Sequence, residues 1–386
     1  MKNFQFMNPT KIIFGKGQLA KMAEEIPAGA KVLVLYGGGS IKKNGLLAAI
    51  HEALADHQVG EFGGIEPNPS YETLMKAVEK IKAEGYDFLL AAGGGSVIDG
   101  TKFIAAAVPF AAGDPWRIIG ERIKLLEAMP FGTVLTLPAT GSEMNNGAVI
   151  THKALCAKLP FMSPLIFPRF SILDPEYTYT LPPRQIGNGV VDACVHVMEQ
   201  YLTYPVGGKL QDRFAEGLLL TLIEDGPEAL KQPENYEVRA NIMWSATMAL
   251  NGLIGSGVPQ DWSTHMIGHE ITAIYGLDHA QSLAVVLPSM LEVMQAGKRE
   301  KLLQYGECVW HLAAGTEQQR IDAAIACTRT FFETMGLPTK LEAYGVGTEA
   351  VEAVADSLEA HGMTKLGETG AVTLAIVRQV LGKSIR

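Results

Sequence analysis

The sequence predicts a two-part fold: an α/β domain built on a parallel sheet over residues 1–180, then an all-helical domain over residues 181–386. Three observations carry that expectation. In the first half, short β-type runs alternate with amphipathic helical stretches, the pattern of a parallel sheet covered on both faces. A Gly-Gly-Gly-Ser tetrapeptide directly follows two of those runs, at 37–40 and 93–96. After Leu181-Pro182-Pro183, helical periodicity takes over and strand-like runs almost vanish. A chain of 386 residues also favours two domains, and 47% hydrophobic against 19% charged residues supplies a core for each.

The strands are the clearest elements. Lys31 to Tyr36, Phe88 to Ala92 and Thr133 to Leu137 are apolar runs of strand length. Between them, Leu46 to Asp56 and Tyr71 to Glu84 carry apolar residues at helical spacing. In the second half Asp212 to Ile223, Asn235 to Asn251 and Ile321 to Met335 do the same. No repeat of solenoid period is present.

Bulk properties exclude several classes. A formal net charge of −9 argues against nucleic acid or an anionic membrane as partner. The longest apolar stretch, Phe103 to Ala112, is too short to span a bilayer and contains Pro109. Met1 to Met7 has no signal-peptide apolar core. The four cysteines (Cys156, Cys194, Cys308, Cys327) are scattered without a CxxC, which fits reduced thiols and a cytoplasmic protein. Cys194 reads as packing.

Chemistry concentrates after residue 190. Asp192 and His196 lie at i, i+4 in a segment of helical composition, so a carboxylate and an imidazole stand one above the other. His265 and His269 repeat that spacing, and His279 follows a break at Gly276. Either pair alone is more often a structural hydrogen-bonded pair than a ligand set. Both are embedded in apolar sequence, however, where a shared cation would compensate several buried polar groups at once. Oxygen with nitrogen donors suits Zn²⁺ or Fe²⁺.

The glycine turns point to a nucleotide. After the second turn, Val97-Ile98-Asp99-Gly100-Thr101 opens a helix, and free amides at a helix N-terminus suit a pyrophosphate. The first turn, Gly37-Gly38-Gly39-Ser40, lacks the acidic residue that NAD sites place against the adenosine ribose. A hydroxyl, exposed amides and Lys42 and Lys43 would accept a 2′-phosphate instead, so NADP(H) is the expected cofactor.

Together these segments resemble the iron-containing alcohol dehydrogenases along the whole chain. The resemblance is closest to the branch of NADPH-dependent aldehyde reductases and butanol dehydrogenases. It rests on Phe14-Gly15-Lys16-Gly17, Tyr36 to Ser40, Gly63 to Pro69, Gly93 to Asp99, Leu137 to Glu143, Asp192 to His196 and the stretch from His265 to His279. The resemblance implies the dehydroquinate synthase-like fold, with the active site in the cleft between an α/β domain and an all-helical metal-binding domain. It implies Asp192, His196, His265 and His279 as ligands of one divalent metal, with His269 as a catalytic non-ligand close to the nicotinamide. Asn68 and Pro69 would border the adenosine end, and Gly94, Gly95 and Ser96 the pyrophosphate. Thr136, Thr140, Ser142 and Lys158 would line the rest of the groove, with Asp99 at the nicotinamide ribose. A homodimer is the family expectation. Two departures, Ala280 after His279 and the missing aspartate in the first turn, are shared with the reductase branch; 154–164 matches less well.

The expected reaction is reversible hydride transfer from NADPH to a small aliphatic aldehyde, giving a primary alcohol. The metal would act as Lewis acid, and Trp262, Ile254, Met144 and Tyr275 would form an apolar pocket. A polyol or glycerol-phosphate dehydrogenase of the same fold is the rival enzyme. It would need Arg and Lys near the ligands, and the segments around His265 and His279 have none. A non-enzymatic metal-binding or scaffolding protein would not require both phosphate-type turns and a metal set.

Overall fold

Six parallel strands form the sheet of one unit, Met7–Leu181 with Glu234–Thr247, in a computed structural model that describes residues 1–386. The strands are β1 (Lys11–Phe14), β2 (Lys31–Tyr36), β3 (Gln58–Phe62), β4 (Phe88–Gly94), β5 (Phe131–Leu137) and β8 (Phe170–Leu173), in the order β1-β8-β5-β4-β2-β3. β6 (Gly147–His152) and β7 (Ala157–Met162) pair separately as an antiparallel hairpin. Side chains of β2 alternate between two cores: Leu33 and Leu35 face one, Val32, Val34 and Tyr36 the other. Burial on both faces explains why such strands read as continuous apolar runs.

The same unit carries α1 (Met22–Glu25), α2 (Ser40–Lys43), α3 (Leu46–Ala53), α4 (Tyr71–Glu84), α5 (Gly95–Ala107), α6 (Arg117–Gly120) and most of α9 (Tyr236–Ala249). α4 has the bounds its sequence predicts, because both ends are signalled. Ser70 accepts from the Thr73 amide at the start, and Gly85 takes a left-handed φ of 71° at the end. Its buried face is Leu74, Ala77, Val78 and Ile81, spaced i, i+3, i+4, i+7.

Chain order sets where a ligand fits. From β2 the chain steps outward to β3, then returns across β2 to β4 and moves on to β5. The sheet therefore has its topological switch point between β2 and β4, and crevices for nucleotides open beyond strand ends at such points. Both Gly-Gly-Gly-Ser segments lie at the ends of these two strands.

The second unit, Met1–Phe6, Pro182–Pro233 and Met248–Arg386, is helical. It contains α7 (Pro183–Tyr201), α8 (Lys209–Lys231), α10 (Ser263–Tyr275), α11 (His279–Cys308), α12 (Glu317–Thr334), α13 (Ala350–Ala360) and α14 (Leu374–Ser384). Its strands are the two-residue pair β9 (Lys365–Leu366) and β10 (Val372–Thr373). No helix is long and apolar enough to cross a membrane.

Three differences from the sequence expectation have local causes. β1 and β8 are four residues each, too short to display a period. β3 pairs only with β2, and as an edge strand it tolerates Gln58 and Glu61. The helix expected over Leu46 to Asp56 stops at Ala53, where Leu54 leaves helical geometry.

Candidate metal centre and dinucleotide turns

Three helices of the helical unit converge on Asp192. On α7, His196 stands one turn after it, with Nδ1 3.7 Å from Asp192 Oδ1. α10 brings His265, whose Nε2 is 3.9 Å from the same oxygen, and the first residue of α11, His279, places Nε2 at 3.7 Å. One donor atom each from Asp192, His265 and His279 lies within 4.8 Å of the others. The His196 ring stacks on His265, centroids 4.6 Å apart, at the side of that set. His269, one turn after His265, is buried with its ring 5.1 Å from that of His279. Asp192, His196, His265 and His269 are all buried, whereas the His279 side chain is 23% exposed, so the cluster is most accessible on the His279 side.

Local sequence explains the convergence. Gly268 lets α10 approach α11, since a Cβ there would stand 2.9 Å from Ser282 Oγ and 3.0 Å from Leu283 Cδ2. α10 ends at Gly276, φ 73°, and Asp278 caps α11 in a capping box with Gln281. Asp278 is fastened to α7 by Asn188 Nδ2 at 2.8 Å and Arg184 Nη2 at 2.7 Å. The cap that starts α11 therefore fixes His279 relative to the helix of Asp192. A buried carboxylate with converging imidazoles is a donor set that fits a borderline divalent cation.

One participant escaped the sequence reading. Glu199, three residues after His196 and seven after Asp192 on the same helix, is buried and contacts His265 Nδ1 through Oε2. Its i, i+4, i+7 relation to Asp192 and His196 was the available signal. Cys194, between the ligand candidates, is buried, and burial pushes its thiol well above the usual range, in line with packing.

The α/β unit holds the other predicted residues. Gly38 and Ser40 are exposed, and Gly39 adopts φ 93° where the turn enters α2. Lys42 is already engaged: Nζ lies 3.4 Å from Glu61 Oε2 and over the Tyr36 ring. At the second turn a Cβ on Gly95 would come within 2.5 Å of Thr140, so β4, α5 and the segment after β5 meet there with no room for a side chain. Asp99 on α5 accepts from Ser142 Oγ at 2.6 Å and from the Val149 amide at 2.9 Å, tying the helix start to β6. Burial raises its carboxyl above the usual range, against the opposing pull of Lys102, Ser142 and Val149. Lys102 is fully buried, donates to Asn145 Oδ1 and the Gly147 carbonyl, and is lowered by burial to about 8. Thr136, next to last in β5, is half-buried, and Lys158 is buried on β7 opposite Thr151.

Asn68 takes a left-handed φ of 54° just before Pro69, in a loop anchored by Glu66. Glu66 Oε1 accepts from Ser70 Oγ at 2.6 Å, Thr73 Oγ1 at 3.0 Å and Lys153 Nζ at 2.8 Å. Burial pushes this carboxyl up, but the Lys153 ammonium and the hydroxyls outweigh burial and hold it at about 2, against an ordinary 4.5. Because the folded value lies below the unfolded one, the stabilisation is complete above about pH 4.5 and disappears as pH falls toward 2. Glu66→Gln is expected to lower stability by about 1–2 kcal/mol at pH 7, given that Lys153 is largely exposed. The gap to the unaltered protein should close below pH 4.5 in unfolding curves measured across pH. A gap that does not depend on pH would refute the assignment.

A metal-type donor set in a helical unit and a switch-point sheet with two glycine turns define a class of metal-dependent, dinucleotide-using proteins. Residues 9–175 match the iron-containing alcohol dehydrogenase family, and residues 187–369 match its C-terminal domain. The chain belongs to the iron-containing alcohol dehydrogenase family. It is 59% identical over 384 residues to the NADPH-dependent aldehyde reductase YqhD of Escherichia coli, covering 98% of this chain and 99% of that one. It is 36% identical to NADH-dependent butanol dehydrogenase A of Clostridium acetobutylicum, covering both chains in full. The crystal structure of E. coli YqhD superposes with a TM-score of 0.98 at 57% identity over 99% of each chain. That of NADH-dependent butanol dehydrogenase A from Thermotoga maritima gives 0.95 at 33% identity, over 100% of this chain and 99% of that one.

Proposed function

We propose that this chain is an NADPH-dependent aldehyde reductase that converts small aliphatic aldehydes to primary alcohols. The observation that carries the reading is the near full-length similarity to an NADPH-dependent aldehyde reductase. The Gly37–Ser40 turn, with Gly38 and Ser40 exposed and no acidic side chain, agrees with it. Asp192, His196, His265 and His279 would hold one divalent cation, Fe²⁺ or Zn²⁺, which when bound supplies a Lewis acid for a carbonyl oxygen, while NADPH supplies the hydride.

The chain's own residues do the rest. The amides of Gly37, Gly38 and Gly39 and the Ser40 hydroxyl receive the 2′-phosphate, and Gly94, Gly95 and Ser96 receive the pyrophosphate at the start of α5. Asn68 and Pro69 border the adenosine; Asp99, Thr136, Thr140, Ser142 and Lys158 line the nicotinamide half. His269, beside the ligands but outside the set, delivers the proton to the product oxygen. Free cysteines support a reducing, cytoplasmic setting, and a homodimer completes the reading from the family resemblance.

The test is NADPH oxidation by metal-loaded protein with butanal and its neighbours, alongside metal analysis. Several aldehydes should be accepted with weak discrimination by length, since one methylene changes binding by roughly 1–3 kcal/mol. Alcohols with NADP⁺ near neutral pH should be used far less efficiently. Turnover of a phosphorylated polyol with no response to butanal would replace this reading by the glycerol-phosphate one.

A further inference from the structure

We propose that Glu199 is the positioning residue of the metal centre. Its carboxylate fixes the tautomer of His265 and, with the same two oxygens, joins the helix of Asp192 and His196 to the first turn of the helix of His265. The proposal rests on the ligand reading given above and adds a residue that reading does not contain.

The geometry is specific. Glu199 is 2% exposed. Its Oε2 meets His265 Nδ1 and also accepts the His265 backbone N–H at 3.3 Å, while Oε1 accepts the Thr264 N–H at 2.6 Å. Both Glu199 oxygens act as acceptors toward backbone N–H groups, and in the same role toward the ring they make the imidazole the donor, with its hydrogen on Nδ1. The lone pair then lies on Nε2, the nitrogen that faces Asp192 at 3.9 Å. A hydrogen bond to one ring nitrogen decides which nitrogen is left to bind a metal.

The same carboxylate does mechanical work on α10. Trp262, at the N-cap with φ 66°, offers no side-chain cap. The amides of the first turn, which have no acceptor within the helix, are taken instead by Asp261 Oδ1, from Ser263 at 3.0 Å, and by Glu199, from Thr264 and His265. Asp261 in turn donates its own N–H to the Glu199 carbonyl at 2.9 Å. Buried Lys298 offsets part of the surrounding acidity: it pairs with Asp261 at 2.8 Å and Glu368 at 3.2 Å and donates to the Leu202 carbonyl at 2.7 Å. His265 is thus aimed through Glu199 as much as through its own helix.

Glu199→Gln separates the two roles. Its amide oxygen, in the place of Oε1, can still accept the Thr264 N–H, but its amide nitrogen, in the place of Oε2, cannot accept the His265 N–H and can only donate to His265 Nδ1, which drives the ring proton onto Nε2. Zn²⁺ affinity of the purified protein, measured by chelator competition, should weaken about 10–100-fold. Melting of the metal-free protein should fall only modestly, because the Thr264 contact survives and the His265 N–H contact of 3.3 Å is lost, and Glu199→Asp should recover part of the affinity. Unchanged Zn²⁺ affinity in a folded Glu199→Gln protein would overturn the proposal. Should that variant fail to fold, ¹⁵N-histidine NMR of the unaltered metal-free protein decides: His265 protonated on Nδ1 supports the role, on Nε2 removes it. His265→Ala guards the premise. If it binds Zn²⁺ normally the ligand reading has failed, whereas loss there with retention in Glu199→Gln rejects this proposal alone.

Discussion

His265→Ala and His279→Ala should each reduce aldehyde reduction to background and strip the protein of bound metal. Each supplies a nitrogen within 4 Å of the single Asp192 oxygen on which the set converges. A site assembled from few ligands loses most of its affinity when one goes, because the remaining buried groups cannot complete the coordination. His269→Ala is the contrasting experiment. That ring lies 5.1 Å from His279 and 6.2 Å from His265, near the set without joining it. The variant should keep its full metal content while turnover falls by about 10²–10⁴-fold, the usual contribution of a positioned acid or base. Elemental analysis beside kinetics reads both numbers. If His269→Ala loses metal as completely as His265→Ala, the division between ligand and proton carrier is wrong.

The second large effect is on cofactor choice. The unaltered protein should prefer NADPH over NADH by at least about tenfold, since one charge-assisted contact is worth roughly 1.5–3 kcal/mol. Gly38→Asp should erode that preference by setting a carboxylate against the 2′-phosphate. Position 38 is well suited to the test. It is exposed, and a Cβ there meets nothing within 4 Å, so the change adds charge without disturbing packing. Gly39, with φ 93°, would confound charge with backbone strain. Ratios of kcat/KM for the two cofactors decide the matter, and equal use of both by the unaltered protein would overturn the reading of the turn.

Much of this was readable in one dimension because the relevant signals are local. β2, β4 and β5 are buried on both faces and therefore announce themselves as apolar runs, and α4 is bracketed by Ser70 and Gly85. Asp192 with His196, and His265 with His269, are helical pairs whose spacing is visible before any folding. β3, an edge strand, and the four-residue β1 and β8 carry no comparable period. Lys42 looked available for a phosphate, yet its ammonium lies against Glu61, nineteen residues further along the chain.

By itself the sequence determined the fold class, the two glycine turns, the donor types and the family, since each follows from short-range spacing and composition. Tertiary structure alone decided that Asp192, His265 and His279 share one point, that α9 belongs with the sheet, and that Glu199 aims His265. The reason is physical. Convergence depends on how closely helices can approach, as Gly268 permits against Ser282 and Leu283, and on caps held from another helix, as Asn188 and Arg184 hold Asp278. Those distances arise from packing between segments remote in the chain, and no period along a single segment encodes them.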